Sequence, residues 1–266
     1  MPSIAFAETI RPHLLTAAER DRYRAGFSDV TRRVFDGPNA GALADAVLGG
    51  ALGQTCLTLY FNDEHHLVGW NACILTEFEE DGVPHGVFRG MAALLPEYRR
   101  GQRVASDWLR CVLPYIARHP ERRVFFFTPV VHVSSFRAIA KHAPVMYPNP
   151  RGEPPAEIAA LMRRLADRFH CARVEGEHPL VCNRATWVRE APAAGGAPDD
   201  EITRLYRRLN PHPERGNCLL VLVPLTPLNL AGAVLKYANV RLQRWWGRAV
   251  EPRLRAPAAA LERSAP

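Results

Sequence analysis

The stretch that decides the fold runs from Val87 to Arg118: VFRGMAALLPEYRRGQRVASDWLRCVLPYIAR. The apolar run Met91-Ala92-Ala93-Leu94-Leu95 predicts a strand. Pro96 stops it, because proline brings no N–H to a sheet ladder. The turn from Glu97 to Arg103 carries one glycine, Gly101, and three arginines, Arg99, Arg100 and Arg103. Beyond it, Val104, Trp108, Leu109, Val112 and Ile116 recur at three- and four-residue steps, the apolar stripe of a helix. The first N–H groups of a helix lack backbone partners and its dipole favours an anion there, so a basic turn feeding a helix is a place for phosphate. The same pattern also describes an ordinary strand–turn–helix whose basic turn is simply solvated.

Working outward, 266 residues can bury a sizeable core. A hydrophobic fraction of 47% with 23% charged residues is that of a soluble globular protein. The net charge of +7 is carried mainly by arginine and favours phosphorylated or polyanionic partners. No helix-turn-helix, zinc or RNA-binding signature accompanies it, so no specific nucleic acid is expected. Six scattered cysteines, with no C-x-x-C pair, sit mostly in apolar runs. They read as reduced, buried thiols in a cytoplasmic protein, with no metal site. The N-terminal residues lack the pattern of a signal peptide, and no apolar run reaches the length that spans a bilayer.

Before the central stretch, Thr16 with Glu19 predicts a capping box at the start of a helix whose buried face is Tyr23, Phe27, Val30 and Val34. A second, small-residue helix covers 40–52. The runs 56–61 and 67–78, joined by Asn62-Asp63-Glu64-His65, predict a hairpin. After the central helix, 122–131 is a nearly continuous apolar strand and 133–141 a short helix with Ser134 or Ser135 available as its cap. The order up to here is that of a mixed α/β domain, with a ligand site where strands end at helix N-termini. Further on, Pro155 opens a helix with the stripe Ile158, Leu161, Met162, Leu165 and Phe169. Then follow a strand within 178–188, a surface insertion over 192–200, a helix over 200–209, a strand over 218–223 and a basic helix over 228–248.

With these residues in view, the sequence resembles the GNAT superfamily, the Gcn5-related N-acetyltransferases. Leu95-Pro96-Glu97-Tyr98-Arg99 is similar to the family's strand-ending turn, and Arg100-Gly101-Gln102-Arg103-Val104-Ala105 to its Q/R-x-x-G-x-G/A motif, with Arg103 standing where the family has glycine. Leu67-Val68-Gly69-Trp70 and the strand–helix unit from Val124 to Ser135 fall in matching places. The resemblance covers roughly residues 16 to 147. It implies a mostly antiparallel central sheet flanked by helices, with a GNAT-like core over 1–190 and an extension over 191–250 that completes the sheet and carries the basic helix; the Ala/Pro/Arg-rich composition of 251–266 predicts a disordered tail. It also implies acetyl-CoA or another acyl-CoA as co-substrate and an amine (or hydroxyl) acceptor, a small molecule or a protein, taking the acyl group by direct transfer.

The cofactor would lie on Leu94, Leu95, Tyr98, Arg99, Arg100, Gly101, Gln102, Arg103, Val104, Ala105 and Ser135. Acyl transfer needs a base for the amine and a proton for the thiolate. His132, at the end of a buried strand, is the first candidate base, since histidine titrates near working pH. Glu77 can accept an amine proton through water, and Tyr147 is the tyrosine nearest to the place of the family's leaving-group acid. Ile139 falls where that tyrosine is expected. Three readings stay open: a short-chain acyltransferase, one using a long acyl chain from CoA or a carrier protein, and a fold that has lost catalysis and binds a partner. The basic stretch Lys236 to Arg248, with Trp245 and Trp246, fits either an anionic membrane surface or docking on the domain itself.

Overall fold

A computed structural model describes residues 3–36, 40–50, 52–99, 104–183, 187–188, 198–235 and 238. Arg100, Gly101, Gln102 and Arg103 lie outside the described residues, and of Val104 and Ala105 only the backbone is described. Trp245, Trp246, the insertion 192–197 and the tail 251–266 also lie outside them.

Strand β1 (Phe6–Ile10) leads into helix α1 (Ala17–Val34), a two-residue strand β2 (Phe35–Asp36) and helix α2 (Ala40–Leu48). The capping box of α1 is formed: Glu19 N–H donates to Thr16 Oγ1 at 3.3 Å and Thr16 N–H donates to the Glu19 carboxylate at 2.7 Å. The hairpin follows as β3 (Gln54–Phe61) and β4 (Leu67–Glu80), its turn held by Asn62 Oδ1, which accepts from the N–H of Glu64 and of His66. The central strand β5 (Val83–Leu94) begins well before the apolar run that announced it. Full pairing to β4 from Val83 to Leu94 outweighs the weak β propensity of its glycines. Helix α3 (Val104–Arg118), strand β6 (Arg123–Val130) and helix α4 (Val133–His142) complete the first half.

The second half holds α5 (Ala156–Arg168), β7 (Ala172–Arg173), β8 (Val181–Asn183), β9 (Trp187–Val188), α6 (Glu201–Leu209) and β10 (Asn217–Pro224). The strand expected over 178–188 is thus two pieces. β8 joins the main sheet, whereas β9 pairs with β2 at the end of α1. Residues 227–235 are helical.

Among the described residues, eight strands form one sheet in the order β1-β3-β4-β5-β6-β10-β8-β7. Each neighbouring pair is antiparallel except β5 with β6. The architecture is therefore the mixed, mostly antiparallel sheet flanked by helices that the GNAT-like reading implied. Alternation along the strands sorts side chains to two faces. Trp70, Ala72 and Ile74 of β4 pack with Phe27 and Val30 of α1, while Cys73 and Leu75 join Val112 and Tyr115 of α3. The glycine of Leu67-Val68-Gly69-Trp70 is a matter of space. A Cβ at Gly69 would stand 2.2 Å from Leu94 Cδ1 and 2.9 Å from the Ala93 carbonyl oxygen.

The face that α3 turns to the sheet keeps the apolar stripe read in its sequence, with Leu109 and Val112 buried and Trp108 and Ile116 packed against the core. It also carries polar residues two turns apart. Tyr60 Oη donates to Asp107 Oδ2 at 2.8 Å, and Tyr115 Oη donates to Glu77 Oε1 at 2.9 Å. Between them, the Cys111 thiol meets those of Cys56 and Cys73, which oppose each other on β3 and β4. Hydrogen bonding to Cys111 and burial push the Cys56 thiol up. For Cys111, the bond with Cys56 pulls the value down, but the Cys73 thiol and burial override it and push it up to about 12. The other three cysteines gather in the same way, with Cys182 beside Cys171 and Cys218. Among the described residues no group of three or more His, Cys, Asp or Glu is arranged to hold a metal ion.

The Asp107 tie has a measurable consequence. A buried hydrogen bond to a charged group contributes about 1.5–3 kcal/mol. Asp107→Ala should lower the unfolding free energy by that amount, read as a lower urea midpoint at unchanged slope. A change within error of zero would mean that the bond contributes nothing to anchoring α3.

Candidate active site

The one parallel pair in the sheet is also the one that comes apart. β5 and β6 are in register from His85 with Arg123 to Phe88 with Phe126, and no further. Beyond that point β5 stays with β4 up to Leu94, while β6 turns to β10 up to Val130. Residues 89–94 and 127–130 therefore present strand edges to each other without a ladder between them. At the root of the gap the Thr128 hydroxyl donates to the Gly90 carbonyl at 3.3 Å. Backbone N–H and C=O groups are obligatory hydrogen-bonding groups, so a slot between two such edges is a receptor for an extended, amide-bearing chain.

Both parted strands run into helix N-termini at their carboxyl ends. β5 passes through Leu95 and the short helical turn Pro96–Tyr98 to α3, and β6 passes through His132 to α4. Ligands of open α/β sheets collect at this end, where first-turn N–H groups and the helix dipoles face outward. The position called Ser134 or Ser135 as cap is occupied instead by His132, whose side chain makes no capping bond. Extended backbone angles at His132 place the cap two or three residues earlier than the serines would, so Ser135 N–H donates to the His132 carbonyl at 3.0 Å and its side chain is exposed.

The turn is tied down by its own residues. Leu94 and Leu95 are buried, Leu95 N–H donates to the Val68 carbonyl at 3.0 Å, and Arg99 Nε donates to the Leu94 carbonyl at 3.0 Å. Asn62 Nδ2 lies 3.5 Å from Tyr98 Oη, which links the hairpin to the turn. Arg99 and His132, from the two strands that part, come within electrostatic reach of each other. His132 is held below the ordinary histidine range, first by burial and then by the Arg99 charge. Its Nε2 is buried and has no partner among the described residues. Both effects favour the neutral imidazole.

The other two catalytic candidates lie elsewhere. Glu77 opposes Gly86, eight residues back along β5 from Leu94, or about 26 Å at the usual 3.3 Å per residue. That is behind the closed end of the gap. There its carboxylate is engaged by Tyr115 at 2.9 Å, by Gln54 at 3.3 Å and by Arg122 at 3.4 Å. Tyr147 exchanges backbone hydrogen bonds with Leu222 of β10, at 2.8 and 2.9 Å. β10 pairs with β6 through this same stretch, which separates Tyr147 from the gap by strands. Sequence reading overlooked Thr128, Gly90 and Trp108, which line the root of the gap. The only signal for them was the glycine inside a strand, a mark of close backbone approach.

Two surface clefts are lined by none of the residues of the gap. One of about 480 Å³ is lined by Tyr23, Arg33, Phe61, His65 and His66 among others. The other, of about 360 Å³, lies over Phe78, Glu80, Leu161, Arg164 and Arg168.

No family model matches the chain, and no curated protein matches it. Among solved structures, an Enterococcus faecalis V583 protein of unknown function, described as a probable N-acyltransferase, overlaps 52% of this chain at 12% identity and a TM-score of 0.34. The overlap spans 33% of that protein's length. The NatC complex bound to Gag peptide and CoA overlaps 83% of this chain and 99% of its own at 11% identity, TM-score 0.36. Arabidopsis thaliana NAA60 in complex with acetyl-CoA overlaps 83% and 99% at 10% identity, TM-score 0.37. Likenesses this loose carry nothing about chemistry, so function must rest on the site itself.

Proposed function

We propose that the chain is an acyl-CoA-dependent acyltransferase of the GNAT type, moving an acyl group from a CoA thioester directly to an amine. The observation that carries this reading is the parting of β5 from β6 at Phe88 and Phe126, with a turn and two helix N-termini at its mouth. Pantetheine is an extended chain with amide groups, and the facing strand edges offer the complementary hydrogen bonds. The pyrophosphate would lie at the start of α3, where Arg99 and, in sequence, Arg100 supply charge. The thioester would lie at the root of the gap, four residues back along β6 from His132, so the proton of the attacking amine would reach the neutral imidazole through water lying along the gap. A strand-edge N–H would polarise the thioester carbonyl. The C–S bond then breaks, the acyl group is left on nitrogen, and the departing thiolate takes up the proton held by His132.

Calorimetric titration with CoA tests the reading. Binding is expected, and Arg99→Glu or Arg100→Glu should weaken it by roughly tenfold to a hundredfold, the worth of one charge-assisted hydrogen bond. Absence of any heat with CoA or acetyl-CoA would sink the acyl-CoA reading. Unchanged affinity in both variants would show that the phosphates bind elsewhere.

A further inference from the structure

The root of the gap is filled rather than open. Gly90 and Thr128 are the next positions on the α3 face beyond the last register pair, Phe88 with Phe126. The space a side chain at Gly90 would need is taken by the Phe126 ring. A Cβ there would lie 2.9 Å from Cε2 and 3.2 Å from Cζ of Phe126, and 3.9 Å from Trp108 Nε1. Trp108, one turn into α3, meets Phe126 edge-on at a centroid distance of 4.8 Å and an interplanar angle of 78°. It meets Phe88 at 6.0 Å and 70°. Edge-to-face rings of this kind are mutually attractive and hold each other in place. The wedge is therefore fixed, not a loose plug.

A second observation points from the wedge to a ligand. Trp108 Nε1 is buried and has no acceptor among the described residues. Buried donors in native proteins almost always have a partner, so one left over where β5 and β6 part marks where an accepting atom of a ligand arrives.

We infer that Trp108 and Phe126 form the floor of the acyl subsite and restrict the donor to short acyl groups, acetyl or little longer. This inference rests on the acyl-CoA reading above and deepens it. A chain entering between β5 and β6 with its phosphates at α3 points its acyl end toward Gly90 and Thr128, where the two rings stop it. A longer chain would have to displace them, and hydrophobic pockets discriminate by roughly tenfold or more for each methylene they cannot seat.

The test is a calorimetric series of CoA, acetyl-CoA, butanoyl-CoA and octanoyl-CoA on the full chain and on two variants. The unaltered protein should bind CoA and acetyl-CoA with similar affinity and octanoyl-CoA at least roughly tenfold more weakly. Trp108→Ala should bring octanoyl-CoA close to acetyl-CoA. Trp108→Phe, which keeps the bulk, should preserve the discrimination. Octanoyl-CoA bound as tightly as acetyl-CoA by the unaltered protein overturns the inference even if Trp108→Ala fails to fold. So does discrimination that survives in a folded Trp108→Ala. Failure of CoA itself to bind is a different result, and counts against the acyl-CoA reading rather than against the floor.

Discussion

Truncating Trp70 to alanine is expected to lower the free energy of unfolding by about 3–5 kcal/mol, the range for removing a large aromatic from a core that cannot collapse around the loss. Trp70 is fully buried near the start of β4, stacks on Phe27 of α1 at 4.8 Å, and donates its indole N–H to Thr31 Oγ1 at 3.0 Å. Thr31 in turn donates to the Phe27 carbonyl at 2.7 Å, so one side chain joins the sheet to two turns of α1. The measurement is the urea midpoint of Trp70→Ala, with Trp70→Phe as the milder companion that keeps the ring and loses the hydrogen bond. A loss below about 1.5 kcal/mol for the alanine variant would mean that α1 is not anchored through this residue.

His132→Ala should reduce the rate of acyl transfer by roughly 10²- to 10⁴-fold, the contribution of a positioned general base, while leaving CoA affinity nearly unchanged. The pH profile separates this role from a structural one. The working form is the neutral imidazole, so the rate should rise with pH through the His132 pKa and level off above it. Burial and the Arg99 charge place that pKa below the ordinary 6.5, and the rising limb should therefore lie on the acid side of 6.5. Arg99→Ala should shift the limb upward, toward the ordinary value. The stability linkage has a definite sign as well. Because the folded pKa is depressed, the unfolded chain takes up the proton first. The contribution from neutral His132 is complete above about 6.5 and is lost as pH falls from there through the folded value. A rate unaffected by His132→Ala, or a limb that ignores Arg99, would remove His132 from the chemistry.

Local physics made several elements legible without coordinates. The capping box at Thr16 and Glu19, the Asn62 turn of the hairpin, and the strand–turn–helix at Pro96 follow from side-chain chemistry within a few residues. The helix read over 200–209 belongs with them; the structure caps it with Asp200, whose carboxylate accepts from Thr203 N–H at 2.9 Å. The apolar stripe of α3 was legible in its sequence, but it takes no account of Asp107, Cys111 and Tyr115 on the same face. These three are polar or weakly polar, yet they find partners on the sheet. Partners of that kind belong to other strands and leave no mark on the helix's own sequence.

The candidate site divides along the same line. Its mouth, with Tyr98, Arg99 and His132, could be named from the sequence, since a proline-ended strand, a basic turn and a histidine at a strand end are local features. That Arg99 and His132 act on one another, while Glu77 and Tyr147 stand apart from them, depended on which strands pair. The same holds for the root. Phe126, Trp108 and Gly90 belong to three elements, and nothing in the periodicity of any one of them announces the other two.

The sequence by itself determined the main helices, the hairpin, the strands β5, β6 and β10, and the basic turn at the end of β5, because strand and helix periods, caps and prolines act over a few residues; the short strands β1, β2 and β7 left no such pattern. Tertiary structure decided that β10 enters the sheet beside β6, that six scattered thiols gather in two groups of three, and that β5 leaves β6 after Phe88. Each of these depends on pairing between residues far apart in the chain. Such pairing is chosen by register and by the packing of two faces at once, which no local pattern encodes.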